Sequence, residues 1–443
     1  MALTGLQIFK LTPKTNCKDC GHPTCLAFSM ALAASKIALD ACPHVSDEAK
    51  EALGAASAPP VVKVTIGAGE KAREMGDEVV LFRHDKQFFH PTCIAVAIDD
   101  NDTNFETRLE AINDLIFERV GETVSIDAIA LVDKSGNSSA FAEKAKIVAE
   151  RGKFAPIYIS DIPEVLASAA LATARARPLL CGAGKENWEA VASIAKETNC
   201  PLVVRGADIN ELSALSEKVA GVTKDIVLGA TTAGVVQRLA DITQIRRQAI
   251  RKKVRPLGYP SIVSVCGESP REQIAEASIY VAKYGSIVVT DVIEKAHILP
   301  LCALRQNLFS NPQVPAQVEP GIFAVGEAGE DSPVYCTTNF SLTYYTVEGE
   351  VAASKIPSWI IATPTDGTSV LTAWAAGKFT ADKIAEFIME INLKDRVNHR
   401  TIVLPGYVAA LKAPLEEKSG WKVLVASNEA SGIPAFAKAN FAK

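Results

Sequence analysis

Between residues 91 and 290 the chain repeats one pattern: a short run of apolar, often β-branched residues, then a stretch with helical character in most cases. The runs are Cys93 to Ile98, Ile126 to Val132, Pro156 to Ile159, Pro178 to Cys181, Pro201 to Val204, Ile226 to Leu228, Ile262 to Val265 and Ile287 to Val289, eight in all. Helices are predicted at Thr107 to Val120, Glu143 to Arg151, Trp188 to Glu197 and Gln273 to Lys283. Continuous rather than alternating hydrophobicity marks strands buried on both faces, as in parallel sheets. Eight such units over about 200 residues match a (β/α)8 TIM barrel in number and length. A doubly wound open sheet is the alternative.

Either fold puts function just beyond the strand ends. Asp99-Asp100, Asp133, Gly182-Ala183-Gly184, Gly206, Gly267-Glu268-Ser269 and Asp291 stand there. Strand ends also need turn formers and helix caps, and that chemistry accounts for most residues of this kind.

Ahead of the repeat, Cys17, Cys20, Cys25 and Cys42 form Cys-x2-Cys-x4-Cys-x16-Cys, with Pro43 after the last. Soft thiolate sets of this density suit iron–sulfur clusters or zinc. Structural zinc pairs two short Cys-x-x-Cys knuckles across a spacer, whereas a solitary fourth cysteine followed by proline matches cluster-binding runs. The spacing therefore favours a [4Fe–4S] cluster over zinc. Leu26 to Leu39 reads as a helix carrying the chain toward the fourth cysteine, and Pro43 stops it. His22 and His44 stand beside ligand cysteines as neighbours rather than ligands. The other six of the ten cysteines are scattered singly in apolar runs and read as small core residues.

At 443 residues the chain calls for about two or three domains. Hydrophobic residues at 48% and a net charge of −5 describe a globular chain with no electrostatic footprint for nucleic acid. No basic leader or membrane-length apolar run occurs, so a cytoplasmic protein is expected. Ala55 to Pro60 reads as a semi-rigid linker. Val61 to Ile66 and Glu78 to Phe82, with Gly67, Gly69 and Gly76 between them, read as a hairpin or cap. The domains expected are a cluster module at 1–56, a linker or cap at 57–92, the barrel at 93–315, and an α/β domain at 321–443.

The last domain follows a proline-rich connector at Asn311 to Pro320. Strands are predicted at Ile322 to Val325, Leu342 to Val347, Trp359 to Ala362, Thr401 to Leu404 and Lys422 to Val425. Helices are predicted at Ser369 to Ala376 and Ala381 to Ile391. Loops rich in glycine and hydroxyl residues, at Thr337 to Ser341, Thr363 to Ser369, Pro405 to Tyr407 and Asn428 to Pro434, suit close approach to a large ligand. No nucleotide-binding glycine signature follows a strand, and the histidines form no hydrolytic triad with Ser or Cys.

Leu3-Thr4-Gly5-Leu6, Asn16-Cys17 through Phe28, Ala41-Cys42-Pro43 and Val370-Leu371-Thr372-Ala373-Trp374 resemble the large (gamma) subunit family of the corrinoid/iron–sulfur proteins of the reductive acetyl-CoA (Wood–Ljungdahl) pathway. The resemblance spans essentially the whole chain. It implies a cluster module, a TIM barrel and a Rossmann-like corrinoid-binding domain. The activity it implies is that of a methyltransferase component: cobalt(I) accepts a methyl group from methyltetrahydrofolate through a separate methyltransferase and delivers it to the nickel site of acetyl-CoA synthase. The [4Fe–4S] cluster, on Cys17, Cys20, Cys25 and Cys42, would reductively reactivate cobalt(II). The partners implied are a small subunit forming a heterodimer, the methyltransferase, acetyl-CoA synthase, and a reductive activator or ferredoxin. Corrinoid contacts would fall on Thr338, Phe340, Thr346, Gly367, Thr368, Ser369, Val370, Leu371, Thr372, Ala373, Gly406, Gly432 and Ile433. The chain lacks the Asp-x-His-x-x-Gly run that supplies a lower-axial histidine, so a base-off corrinoid without a protein histidine ligand is implied. Two readings without cobalt remain: an iron–sulfur electron-transfer subunit fused to a barrel enzyme, and a zinc-stabilised scaffold.

Overall fold

The computed structural model describes residues 5–33, 37, 41–46, 49, 59–82, 85, 88, 90–229, 234–267, 269–310 and 315–442. Most of the Ala-Pro linker, part of the predicted helix between Cys25 and Cys42, Leu3-Thr4, Glu268 and Asn311 to Val314 lie outside the described residues. The chain divides into two compact units, residues 1–117 with 124–309, and residues 118–123 with 310–443.

In the first unit, α1 (Gly5–Leu11) and α2 (Cys25–Ala33) pack together near the N-terminus. A Cβ on Gly5 would strike Met30, which is why a glycine opens α1. Ile8, Phe28, Leu32, Cys42 and Val45 form the small core of this module.

Eight parallel strands then close into a barrel: β1 (Cys93–Asp99), β2 (Ala128–Val132), β3 (Ala155–Ile159), β4 (Leu179–Ala183), β5 (Leu202–Arg205), β6 (Ile226–Gly229), β7 (Ser261–Ser264) and β8 (Ile287–Thr290). Each is followed by a helix: α3 (Phe105–Asn113), α4 (Ser138–Arg151), α5 (Pro163–Thr173), α6 (Trp188–Thr198), α7 (Ile209–Ala220), α8 (Val235–Lys252), α9 (Pro270–Ala282) and α10 (Lys295–Phe309). Caps fix several starts. Asn137 and Asp208 accept from the first free amides of α4 and α7, and Ser269 with Glu272 forms a capping box at α9 beside Pro270.

Inward-facing residues include Cys93, Ala95, Ala97, Ala128, Ala130 and Ala155, and these small side chains fill little of the barrel. Its amino-terminal end is plugged instead by a hairpin of Val64–Ile66 against Arg73–Met75. That corrects the expected partner: among the described residues a single bridge, Val61–Glu78, joins the segment read as the second arm. Beneath the plug, buried Arg305 pairs with Asp127 and donates to Thr92 O (3.1 Å) and Ser125 O (2.6 Å). The Asp127 carboxylate also accepts from Ile94 N at 2.9 Å and Arg73 Nε at 3.3 Å.

The helix predicted over Thr107 to Val120 ends at Asn113, and Ile116–Arg119 pairs with Glu122–Ser125 as a two-stranded ribbon. Val120 and Gly121 both take positive φ (53° and 71°), the requirement of the tight turns that twist with a hairpin.

In the second unit, β9 (Gly321–Val325), β10 (Val334–Thr338), β11 (Ser358–Thr363), β12 (Thr401–Leu404) and β13 (Lys422–Val425) form a five-stranded sheet in the order β9-β11-β10-β12-β13. Only β9 runs antiparallel to its neighbour. Helices α11 (Ser341–Ala353), α12 (Val370–Ala375), α13 (Ala381–Glu390), α14 (Lys412–Ser419) and α15 (Ile433–Phe441) flank it. The segment Leu342 to Val347, predicted as a strand, lies within α11. Its β-branched and aromatic residues mimic a strand, but burial of Ser341, Tyr344 and Val351 follows the helical period. The central strand β10 replaces part of a predicted loop. Among the described residues no helix is long and apolar enough to cross a membrane.

Candidate functional sites

The segments singled out from the sequence for a cluster and a corrinoid fall at two places. The first is the cysteine loop between α1 and α2. Lys14, Asn16, Lys18 and Gly21 all take positive φ, between 52° and 78°, so the backbone repeatedly reverses hand as it runs past Cys17 and Cys20. Such alternation turns successive N–H groups toward one side and makes a concavity that suits anionic sulfur. Asn16 ties the loop to the helix start: its Oδ1 accepts from Cys25 N at 2.8 Å, and its own N–H points at Cys25 Sγ, 3.4 Å away.

Cys25 and Cys42 are buried, Cys20 is half-buried against the same small core, and Cys17 is exposed. His44, two residues beyond Cys42, reaches back to Asp19 with Nε2 to Oδ2 at 2.6 Å. Hydrogen bonds from His44 and then Cys17 hold the Asp19 carboxyl below the usual carboxylate range. These contacts bring both ends of the cysteine set together. The ligand atoms of Cys17, Asp19 and His44 also lie within 4.8 Å of one another, an exposed mixed set. A metal there would leave Cys20, Cys25 and Cys42 unused, whereas a four-thiolate cluster employs the whole motif.

The second place is the carboxyl end of the C-terminal sheet. The chain leaves β10 toward β11 and returns to β12 on its other side, and an open sheet binds ligands where the order reverses. A cavity of about 130 Å³ lies there, walled by Tyr335, Cys336 and Thr337 of β10, Val403 and Leu404 of β12, Thr343 and Val347 of α11, Val370 of α12, Ile433 of α15, and the 405–407 and 426–430 loops. The hydroxyls of Tyr335 and Thr337 on this wall, and of Thr338 at the end of β10, are buried with no hydrogen-bond partner among the described residues. Burial pushes the Tyr335 phenol up to about 12, so it is a neutral donor. Orphan buried hydroxyls cost free energy unless a ligand satisfies them. A neutral, amide-bearing group fits this wall; a charged one does not.

Asn339, only 2% exposed, holds the adjoining loop. Its Oδ1 accepts from Thr365 N and Thr365 Oγ1 (both 2.9 Å) and Gly367 N (3.1 Å), while Nδ2 donates to Gln317 Oε1 at 3.0 Å and Val318 O at 3.2 Å. Gly367, at φ 64°, is packed so that a Cβ would press on Pro315 and Gln317. Gly406 is equally confined, because a Cβ would sit 2.6 Å from Asn428 Oδ1 and 2.7 Å from Ala426 O. Gly432 would strike the Ser427 hydroxyl.

Of the residues singled out from sequence, Val370 and Ile433 line the cavity, and Gly406 and Gly432 shape its rim loops. Thr338 ends β10 with its hydroxyl buried, and half-buried Phe340 precedes α11. Thr368 Oγ1 donates to Thr365 O at 2.6 Å, and Ser369 Oγ donates to Thr372 Oγ1 at 3.0 Å. Ala373 is buried, while Leu371 is 46% exposed beside Trp374 at 40%, an apolar shelf on α12. Thr346 is exposed on α11 with its hydroxyl donated to Leu342 O at 2.6 Å; Thr343 and Val347 face the cavity instead. Tyr335, Thr337, Thr343, Val347, Ser427 and Asn428 were not singled out individually. The alternation of Tyr335 with Thr337 and the four-residue step from Thr343 to Val347 were the available signals.

The unit's one histidine, His399, uses both ring nitrogens locally: Nε2 lies 2.9 Å from Ser332 O, and Nδ1 accepts from Thr401 N at 3.2 Å. It precedes β12 and so stands at the amino end of the sheet, opposite the cavity.

The family described as "CO dehydrogenase/acetyl-CoA synthase delta subunit" matches residues 63–437, and one described as "Putative Fe-S cluster" matches residues 13–44. The corrinoid/iron-sulfur protein large subunit of Moorella thermoacetica is 48% identical over 445 residues, covering 100% of both chains. The acetyl-CoA decarbonylase/synthase complex subunit gamma of Methanopyrus kandleri is 33% identical, over 98% of this chain and 97% of its own. The same subunit of Archaeoglobus fulgidus is 34% identical, over 98% of each.

Proposed function

From its membership in the CO dehydrogenase/acetyl-CoA synthase delta subunit family, to which this chain belongs, we propose that it is a corrinoid-dependent methyl carrier. The observation that carries the reading is the pair of buried, unpartnered hydroxyls on Tyr335 and Thr337 that line the cavity at the sheet's reversal point, with that of Thr338 buried at the end of the same strand. When bound, the corrinoid's cobalt would accept a methyl group from methyltetrahydrofolate through a partner methyltransferase and pass it to the nickel site of acetyl-CoA synthase, and a [4Fe–4S] cluster would return the electron lost when cobalt oxidises.

The protein's part is to bind and orient. Tyr335, Thr337 and Thr338 would donate to neutral amide arms, the Asn339-held loop at 365–369 would fix one edge, and Leu371 with Trp374 would offer apolar surface. Gly367, Thr368, Ser369, Val370, Thr372, Ala373, Gly406, Gly432 and Ile433 would complete the contacts, with Phe340 just ahead of α11 and solvent-facing Thr346 at the ligand's outer edge. The engagement of His399 at the far end of the sheet supports a base-off corrinoid without a protein histidine. Cys17, Cys20, Cys25 and Cys42 would hold the cluster. The domains would then be the cluster module at 1–56, the linker at 57–92, the barrel at 93–315 and the corrinoid domain at 321–443. A corrin is too large for one small domain to bury, so a small subunit would cover its other face in a cytoplasmic heterodimer.

Metal analysis and the visible spectrum of anaerobically purified protein from cobalt-replete cells test this. Cobalt and iron should appear together near one to four, with corrinoid and iron–sulfur absorption superposed. Iron without cobalt would overturn the carrier reading in favour of electron transfer alone. Cys20→Ala should abolish reductive reactivation of the cobalt while leaving the corrinoid bound; unchanged reactivation would remove the cluster from this role.

A further inference from the structure

A cavity larger than the one in the C-terminal sheet lies in the first unit. It opens at the carboxyl end of the barrel, with a volume of about 850 Å³. That is within the size range of small-molecule sites, and the same end of such barrels is where ligands bind. Its floor is apolar, formed by residues such as Ala97, Val132, Cys181, Val203 and Val289.

The strand-end carboxylates sort into two kinds. Asp100 and Asp133 do turn chemistry: Asp100 accepts from Lys134 N at 2.8 Å and Ser135 N at 3.2 Å, and Asp133 from Gly136 N at 2.8 Å and Ser160 Oγ at 2.7 Å. Asp99 does not. It lines the cavity half-buried, and no hydrogen bond or ion pair reaches its carboxylate among the described residues. Asp291 beside it is held in place, accepting from buried Gln273 Nε2 at 2.6 Å and Gly267 N at 3.2 Å. Across the mouth, Arg205 is gripped through one terminal nitrogen by Asp161, which leaves its other N–H groups uncommitted. In a closed ring of eight strands β5 stands opposite β1, so Asp99 and Arg205 face each other over the apolar floor.

We propose that the barrel mouth is a second ligand site, for a flat organic zwitterion that spans it. An end rich in N–H donors would lie against Asp99 and Asp291, the ring over the floor, and a carboxylate against Arg205. Recognition is non-covalent and does not depend on the corrinoid reading.

The test uses 4-guanidinobenzoate as probe, titrated calorimetrically into the full-length holoprotein. Saturable binding is expected, weakened about tenfold or more by Asp99→Asn and by Arg205→Gln, with benzoate and phenylguanidine each binding less tightly than the joined probe. Asp99→Asn preserves shape, and Arg205→Lys serves if the glutamine variant folds poorly. Cobalt and iron content should not change in any variant. Absence of saturable binding, or native affinity in Asp99→Asn or in Arg205→Gln, would overturn the proposal.

Discussion

The barrel and the C-terminal sheet each carry a cavity at the carboxyl ends of parallel strands, and each cavity is organised by one buried side-chain amide. In the barrel Gln273, 1% exposed, accepts from Thr290 Oγ1 at 2.6 Å and Asp291 N at 3.2 Å while donating to the Asp291 carboxylate. In the sheet Asn339 does the same work for the 365–367 loop. The rims differ. Arg108, Lys134, Arg205, Arg238, Asp99 and Asp291 stand around the barrel cavity, whereas among the described residues no charged side chain lines the one in the sheet. A charged rim selects ions and tolerates water. A wall of neutral hydroxyls selects a neutral polar ligand, because it offers hydrogen bonds without the cost of burying charge.

The largest effect should come from Asn339→Ala. It strands two backbone N–H groups and a hydroxyl together, each with a desolvation cost, so a loss of about 3 kcal/mol is expected in chemical unfolding of the C-terminal unit. Bound cobalt should fall while iron stays constant. Gln273→Ala is the matching change in the barrel, with an expected loss of about 2 kcal/mol. It should leave cobalt unchanged. If both variants lost cobalt equally, the two cavities would not be the independent sites they are taken to be.

Thr338→Val should act with opposite sign on the free and loaded protein. The side chain keeps its shape and loses a buried hydroxyl that has no partner, so the corrinoid-free protein should gain up to about 1 kcal/mol. Corrinoid retention should fall about fivefold, since a neutral hydrogen bond is worth about 1 kcal/mol. Equal stability and equal retention would show that the hydroxyl faces no ligand.

These contrasts also mark what could be read from the chain alone. All eight barrel strands were legible, because strands buried on both faces write continuous apolar runs such as Ile126 to Val132. Strand β10 was not, because it ends in Thr337 and Thr338, polar residues that burial between two parallel neighbours overrides. Nor was α11, whose Leu-Thr-Tyr-Tyr-Thr-Val stretch has strand composition and helical burial. The four cysteines were visible as a set; the left-handed turns at Lys14, Asn16 and Lys18 that shape the loop were not, since lysine rarely adopts that conformation and a single asparagine is a weak sign of it. The amide hubs were least visible. Asn339 meets Thr365 and Gln273 meets Asp291 only after folding brings distant segments together, and no local pattern records such pairs.

Both cavities are lined by cysteine, Cys181 and Cys266 in the barrel and Cys336 in the sheet, and the contrast of exposed Cys266 with buried Cys336 gives the smallest and cleanest prediction. Cys266 is exposed to the barrel cavity, yet the surrounding walls push its thiol up to about 11, with Asp291 and Asp99 adding to the shift and Lys134 opposing it. Cys336 lines the sheet cavity but is only 2% exposed, with Sγ 3.4 Å from Thr363 Oγ1, and burial pushes it to about 12. Both are protonated at neutral pH, and only the thiolate reacts. In native protein iodoacetamide should therefore label Cys266 slowly, with a rate rising about tenfold per pH unit between about pH 8 and 10, and should leave Cys336 untouched. Peptide mapping by mass spectrometry reads both sites. If the barrel cavity holds 4-guanidinobenzoate, the probe should slow labelling of Cys266 without altering Cys336. Labelling of Cys336 in the folded protein at a comparable rate would mean that the sheet cavity opens to solvent as readily as the barrel, and the distinction between a wet, ionic site and a dry, neutral one would fail.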